Sequence, residues 1–386
     1  MSSNLSGVPT LVLIHPRLNK IATQEIDLLA RFEKYAEVFS LATKDPNIKF
    51  LVIGGIDGSR KLKFPKETHS RVEIVLFKSA KWTFPFFMFN AVKYLRCSKV
   101  SPRIFLAGDL TLGLFATWCV RFFWFRGVPI QISVHGSIRS YGAKMRGLFK
   151  SIVFNSISLP LIRKVESVRV VSRHLAREVE EFAGLPNSRI VIAPIPMAWF
   201  SENRLIRTDG FHIAVIGRFH QERNISEILS ILSAVLPNQD LRKVTFAGSG
   251  ELIGVIESWS QNSPQSAKIE IITGLNATKV VKLLSGTDAL LSAAMTEGYG
   301  LSIREALVSG VTVVARKNKG TEEVLEDFNS GIYLYDKINL AVEIINKLIR
   351  HEFSGPSVNA PAIQKAIDTH SMRSLASSWS QLSNSV

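Results

Sequence analysis

Two Rossmann-like, doubly wound α/β domains facing across a cleft are predicted by three observations. Short apolar runs alternate with helical periodicity along the whole chain, the pattern of parallel sheets covered by helices on both faces. The 386 residues are long for one core, and the periodicity fades around "PIPMAWFSENRLIRTDG" (194–210) before it restarts. Charge divides near the same place: residues 1–200 hold 29 Lys+Arg against 13 Asp+Glu, and residues 201–386 hold 18 against 19. This gives an N-terminal domain over 1–195, a linker over 196–210 and a C-terminal domain over 211–369. A closing helix over 370–386 is free to cross back to the first domain.

In the first half the expected strands are "TLVLIH" (10–15), "FLVIG" (50–54), "VEIVLF" (72–77), "RIFLAG" (103–108), "PIQISVHG" (129–136), "SVRVVS" (167–172) and "RIVIAP" (189–194). Each is a short, β-branched or apolar run of the kind a sheet buries on both faces. Helical spacing lies between most of them, over roughly 22–36, 84–96, 111–125, 142–163 and 173–183, the last stopped by "GLP". In the second half "FHIAVIG" (211–217) begins the sheet and "ISEILSILSAVLP" (225–237) is the next helix. "KVTFAGSG" (243–250), "IEIITG" (269–274), "DALLSA" (288–293), "VTVVAR" (311–316) and "GIYLYD" (331–336) continue the alternation. "LSIREALVS" (301–309) is helical, with Leu301, Ile303, Ala306 and Leu307 on one face and Gly310 placed as a left-handed cap.

Composition narrows the class. Hydrophobic residues at 46% with 20% charged exclude a disordered chain. Two cysteines, Cys97 and Cys119, suggest neither a disulfide framework nor a thiolate zinc site. The N-terminal segment lacks the basic start and apolar run of a secretory signal. Uncharged stretches such as 110–120 and 151–162 fall short of the ~20 residues of a spanning helix. A cytoplasmic protein is expected, peripheral on the inner face of the cell membrane.

The chemistry collects just after strand ends in the second half, where open α/β sheets bind their ligands. "IGRFHQERN" (216–224) puts Gly217, Arg218 and Arg223 on that rim; "AGSGE" adds Gly248 and Gly250, "TGLN" Gly274 and Leu275. "TEGYGL" adds Glu297, Gly298, Tyr299, Gly300 and Leu301. Glycine turns into helix N-termini let backbone N–H groups approach phosphate oxygens, and two guanidinium groups beside them suit a diphosphate. If a diphosphate lies over Gly300 and Leu301, Glu305 stands one turn along, roughly 6 Å, where it can accept ribose hydroxyls. Glu297, beyond the glycines, would then face the group on the distal phosphate. The plain alternative is that both acids complement the helix dipole and both arginines are solvated. No H-E-x-x-H or comparable cluster supports a metal site.

These residues are similar to those of the retaining GT-B glycosyltransferases of family 4 (glycosyl transferases group 1). The resemblance is strongest over 211–336, and its most specific element is E-x7-E, matched by Glu297 and Glu305 inside "EGYGLSIREAL". Gly217, Arg218 and Arg223 match the family's diphosphate element, with arginine for the usual lysine and Asn224 where glycine usually follows. "KGTEEVLED" (319–327) resembles its glycine–glutamate turn and places Gly320 and Glu323 near the site; "SVHGS" (133–137) makes His135 the group near the transferring sugar. His15 and Arg17 fall on the acceptor side, in a loop, "HPRLNKIAT" (15–23), without the family's usual glycines.

The resemblance implies transfer from a nucleotide-diphosphate sugar as co-substrate, with no cofactor, no metal and retention by front-side attack. A nucleotide-sugar epimerase of the same fold and a catalytically silent protein binding an anionic membrane or polymer are the alternatives. For the acceptor, residues 51–150 carry 17 Lys+Arg against 4 Asp+Glu, interleaved with "KWTFPFFMF" (81–89) and "VRFFWFRG" (120–127). That mixture predicts an anionic or lipid-linked glycan acceptor and an anionic membrane surface as partners, with nucleic acid disfavoured because no known binding module accompanies the charge.

Overall fold

Strands that are apolar on both faces pair in parallel and need helices above and below, and both sheets here are built that way. The structure is a computed structural model describing residues 7–18, 25–56, 71–79, 84–98, 100–139, 152, 154–195, 197, 210–353 and 355–385. It forms two units, one of residues 1–193 with 370–386, the other of residues 194–369.

The first unit holds β1 (Val8–His15), β2 (Lys49–Ile56), β3 (Val72–Lys78), β4 (Val100–Ala107), β5 (Ile130–Val134), β6 (Ser167–Val170) and β7 (Ile190–Ile192). They lie in the order β3-β2-β1-β4-β5-β6-β7, all parallel. Its helices are α1 (Glu25–Thr43), α2 (Phe84–Cys97), α3 (Leu112–Trp124), α4 (Leu159–Ile162) and α5 (Arg173–Ala183). Right-handed crossovers put α1 on one face and α2 and α3 on the other, since β1→β2 and β3→β4→β5 run in opposite directions across the sheet. The core on the α1 side includes Phe32, Phe39, Phe50 and Trp379.

One helix was expected over 142–163. Residues 140–151 lie outside the described residues, and 154–158 instead wind as a π turn that passes into the four-residue α4. Pro160, in the first turn of α4, has no N–H for the preceding turn, so a regular α ladder cannot run through it.

The second unit holds β8 (Phe211–Arg218), β9 (Leu241–Ser249), β10 (Ile269–Ile272), β11 (Ala289–Ser292), β12 (Thr312–Arg316) and β13 (Ile332–Tyr335), in the parallel order β10-β9-β8-β11-β12-β13. Between them run α6 (Ile225–Val235), α7 (Ile253–Asn262), α8 (Ala277–Ser285), α9 (Leu301–Val308), α10 (Lys319–Phe328) and α11 (Ile338–Ile349). Each sheet face has its own core, with Ile231, Phe246 and Ile345 on one and Ile303, Leu307 and Phe328 on the other. The strand order reverses between β8 and β11, and that switch point sets where a ligand crevice opens.

The last helix, α12 (Ala360–Asn384), is longer than "SMRSLASSWSQLSNSV" suggests. Pro361 sits in its first turn, where a missing N–H costs nothing. The division between the units falls inside it, at 369/370.

Candidate active site

Three strand ends are stitched together at the switch point of the second sheet. After β8 the chain makes a 3-10 turn, Gln221–Arg223, and enters α6 through Asn224 in the left-handed conformation (φ 50°). Asparagine is among the few side chains that tolerate this region, so Asn224 can stand where the resemblance led to an expectation of glycine. The Glu222 carbonyl accepts from Met295 N–H in the loop after β11 (3.1 Å), and Arg223 Nη1 donates to Glu297 Oε2 (2.8 Å). Asn318, which caps α10 after β12, donates from Nδ2 to the Ala294 carbonyl (2.9 Å).

Glu297 is the centre of this stitching. Its other oxygen, Oε1, accepts from Gly300 N–H (3.2 Å), and its side chain is 9% exposed. Gly300 turns the loop into α9 with φ 74°, a left-handed cap. Gly320, in the first turn of α10, packs so closely on the loop that a Cβ there would come within 2.1 Å of the Glu297 carbonyl oxygen. Two helix N-termini, those of α9 and α10, therefore converge on one short loop.

Glu305 lies in the second turn of α9, half-buried, and among the described residues no hydrogen bond or ion pair engages its carboxylate. Burial pushes its pKa up to about 7. Arg218 is exposed at the end of β8, and among the described residues no carboxylate pairs with it. Arg223, Arg218, Gly217, Ser292 and Ala293 line one crevice at the junction of β8 and β11.

The other expected residues of this half sit around that centre or farther out. Gly248 is pressed against the Gly217 carbonyl and Gly250 against Phe219, so β8 and β9 end side by side with no room for a side chain. Tyr299 is buried and Leu301 half-buried; Gly298 lies on the Glu297 loop; Glu323 is buried in α10. Gly274 and Leu275 follow β10, the edge strand, two strands away from β8. Among the described residues no group of three or more His, Cys, Asp or Glu is placed to hold a metal ion.

In the first unit, His15 ends β1 and is 3% exposed. Its Nδ1 accepts from Arg17 N–H (3.2 Å), while Nε2 is buried without a partner, and burial lowers its pKa. His135 directly follows β5 and is an exposed residue; desolvation by the surrounding protein and the charges of Arg169 and Arg31 lower its pKa. Because the residue is exposed, the two guanidinium charges are the firmer cause, and they favour a neutral imidazole at pH 7. The Ser137–Arg139 turn beyond it is fixed by Glu178 of α5, which accepts from Ser137 Oγ and Arg139 N–H (both 2.7 Å).

Sequence reasoning missed Arg304. It is buried in α9, donates from Nε to the Tyr299 carbonyl (3.0 Å), pairs with Asp327 of α10 (2.5 Å) and stacks over the Tyr299 ring at 4.3 Å. It clamps the loop that carries Glu297. Its role rests on partners from α10 and the preceding loop, and the sequence around it carries no signal of them. Gln364 of α12 was missed as well; its Nε2 donates to Tyr299 Oη (2.9 Å) and to Asp368 (2.8 Å).

Residues 200–365 match the family model described as glycosyl transferases group 1. Among curated relatives, the α-monoglucosyldiacylglycerol synthase of Streptococcus pneumoniae is 30% identical over 135 residues, which span 35% of this chain and 30% of that protein. Among solved structures, Anabaena HepE in complex with UDP-glucose superposes with a TM-score of 0.65 at 14% identity, over 97% of this chain and 98% of that one. The lipopolysaccharide outer core galactosyltransferase WaaB gives 0.64 at 14% identity, over 95% and 97%. Residues 200–365 of this chain are therefore similar to the glycosyl transferases group 1, in a molecule whose two parallel sheets have the GT-B fold.

Proposed function

We propose that the protein is a retaining, metal-independent glycosyltransferase of family 4. It moves a sugar from a nucleotide-diphosphate sugar to a lipid-linked or glycan acceptor in cell-surface polysaccharide or glycolipid synthesis, at the cytoplasmic side. One observation carries the reading: Arg223 and Glu297 are locked together beside the N-terminus of α9, with the unengaged carboxylate of Glu305 one turn along. The UDP-glucose in the HepE structure and the lipid in the streptococcal relative's name support a sugar nucleotide and a lipid acceptor.

In this reading the second unit holds the donor. Gly217, Gly248, Gly250, Gly274, Leu275, Gly320 and Glu323 line the nucleotide, and Glu305 accepts from its ribose. As the bond from sugar to phosphate breaks, negative charge grows on the diphosphate and positive charge on the sugar. Arg218, Arg223 and the α9 N-terminus stabilise the leaving group through fixed, preorganised charge. Glu297 keeps lone pairs beyond those given to Arg223 and Gly300 and accepts from the sugar hydroxyls. In the first unit His135, neutral at pH 7, approaches the sugar, and His15 and Arg17 meet the acceptor. The leaving phosphate takes the acceptor's proton, so retention needs no carboxylate pair at hydrolase spacing.

Uridine, guanosine and adenosine diphosphate sugars are screened by thermal shift, since a ligand of the native state raises the apparent melting temperature. The donor found is then tested for transfer, with the product anomer read by NMR. Arg218→Ala and Arg223→Ala should each slow transfer by at least ~1.5 kcal/mol, about tenfold. Unchanged kinetics in both would remove the assignment, and donor turnover without acceptor would favour an epimerase.

A further inference from the structure

Among the described residues, the surface carrying α2 and α3 is the most apolar exposed region of the first unit, and it holds none of the residues placed in the transfer site. Along α2 the outward stripe at spacings of three and four is Phe86, Phe89, Lys93 and Arg96; Phe86 is 67% and Phe89 66% exposed. Along α3 the outward residues are Phe115, Phe122, Phe123 and Trp124, the last two 60% and 45% exposed. The rings are not loose. Phe84 stacks on Phe115 (6.4 Å) and joins the two helices. Trp118 stacks on Phe122 at 4.9 Å, Phe122 meets Phe123 at 5.0 Å and Phe123 meets Trp124 at 5.3 Å, one continuous aromatic ladder.

Charge around this ladder is mainly positive, with Glu166 and Glu73 nearby already engaged by Arg121 and Tyr94. Residues 84–165 contain twelve Lys+Arg and a single acid, Asp109. Asp109 is occupied in capping α3, accepting from Thr111 N–H (2.8 Å) and Gly113 N–H (3.1 Å). Arg126 lies over the Phe122 ring at 5.5 Å and, with Lys164, Trp118 and Arg121, borders an open groove of about 370 Å³. Arg121 is already paired with Glu166 (2.7 Å), which leaves Arg126 and Lys164 as the groove's outward cations.

Exposed rings flanked by cations whose stems lie along apolar surface match a water–lipid boundary, where rings enter the acyl edge and cations meet phosphates. A second copy of this chain would bring the same positive field to the same face and be repelled. Among the described residues no helix is long and apolar enough to cross a membrane, so the contact is one of a surface. We propose that the outer face of α2 and α3 docks on a bilayer containing anionic phospholipid. Phe86, Phe89, Phe123 and Trp124 enter the interface, and Lys93, Arg96, Arg126 and Lys164 contact headgroup phosphates.

The proposal is tested without any nucleotide sugar, so its failure and that of the transfer reading are separable. The full chain is floated with vesicles of phosphatidylcholine alone or mixed with phosphatidylglycerol, at low and high salt. Binding should need the anionic lipid and weaken with salt. A Phe123→Ser/Trp124→Ser double variant and a Lys93→Glu/Arg126→Glu double variant should each lower partitioning by about tenfold or more, since each basic residue near such a surface contributes on the order of a fivefold change. Leu41→Ser, which removes an equally exposed apolar residue from α1, should change nothing. The charge reversal leaves the ring ladder itself in place and carries the test alone if the serine variant unfolds. Equal binding to both vesicles, or an equal loss in Leu41→Ser, would overturn the proposal. So would a dimer in solution that the serine variant dissociates, which would give the face to a second copy.

Discussion

A carboxylate half-buried with no partner among the described residues, as Glu305 is, holds its proton to higher pH than it would in the unfolded chain. Its pKa near 7 against an ordinary 4.5 means that the native state binds the extra proton between those values. Stability therefore falls as pH rises through that window, and the cost of the bare charge is complete above it. Glu305→Gln should raise stability at about pH 8, by at most about 3 kcal/mol at ~1.4 kcal/mol per unit and seen as a higher melting temperature, and leave it unchanged at about pH 4. In the proposed donor site the ionised form is the one that accepts ribose hydroxyls. Nucleoside diphosphate affinity, measured by titration calorimetry, should then decline as pH falls below about 7, and the Gln variant should lose that pH dependence. Arg223 is the complementary case. Arg223→Ala leaves Glu297 nearly buried with one partner fewer and should cost about 1–3 kcal/mol of stability. Arg223→Lys restores charge without the planar fork. Melting should recover in that variant more fully than transfer does.

Among the elements, α9 and α10 decide the shape of the candidate site, and a backbone contact sets their separation. Gly320→Ala drives a Cβ into the Glu297 carbonyl, which is main chain and cannot swing aside. A loss of about 1–3 kcal/mol is expected, with nucleotide binding lost beyond what the melting shift explains. Asn318→Ala removes a capping box and the bond to Ala294, and should cost about 1–2 kcal/mol. These elements were legible in the sequence because local chemistry marks them. Gly310 stops α9 with φ 75°, Arg218 and Arg223 follow a strand, and the two acids flank a glycine turn. Arg304 and Gln364 were not legible, since their roles depend on Asp327 and Tyr299, brought to them only by tertiary packing. Within the helix expected over 142–163, the described residues 154–162 are helical, and Pro160 explains only why a π turn precedes α4 there in place of a regular α ladder. The start of α12 was missed because its first half packs on the second unit, outside the periodicity of its last residues.

For the whole molecule, the feature that matters most is that α12 serves both units. Its first half belongs to residues 194–369, where Asp368 accepts from Met197 N–H (3.1 Å). Its second half completes the first unit. Trp379 is 1% exposed, meets Tyr35 and Phe39 edge-on, and donates from Nε1 to Gln131 (2.8 Å). Trp379→Ala should cost about 3–5 kcal/mol in the first unit, seen by calorimetry as an early transition. The stabilisation that a nucleotide gives the second unit should survive. The same arrangement has a consequence on the ribosome. The chain emerges N-terminus first, so the sheet of the first unit is made while the tryptophan that closes its core has yet to be translated. At ~5–20 residues per second, residues 194–369 take roughly 10–35 s to synthesise. Throughout that interval Tyr35 and Phe39 lack the indole ring that meets them in the finished unit, and the half made first is the half finished last.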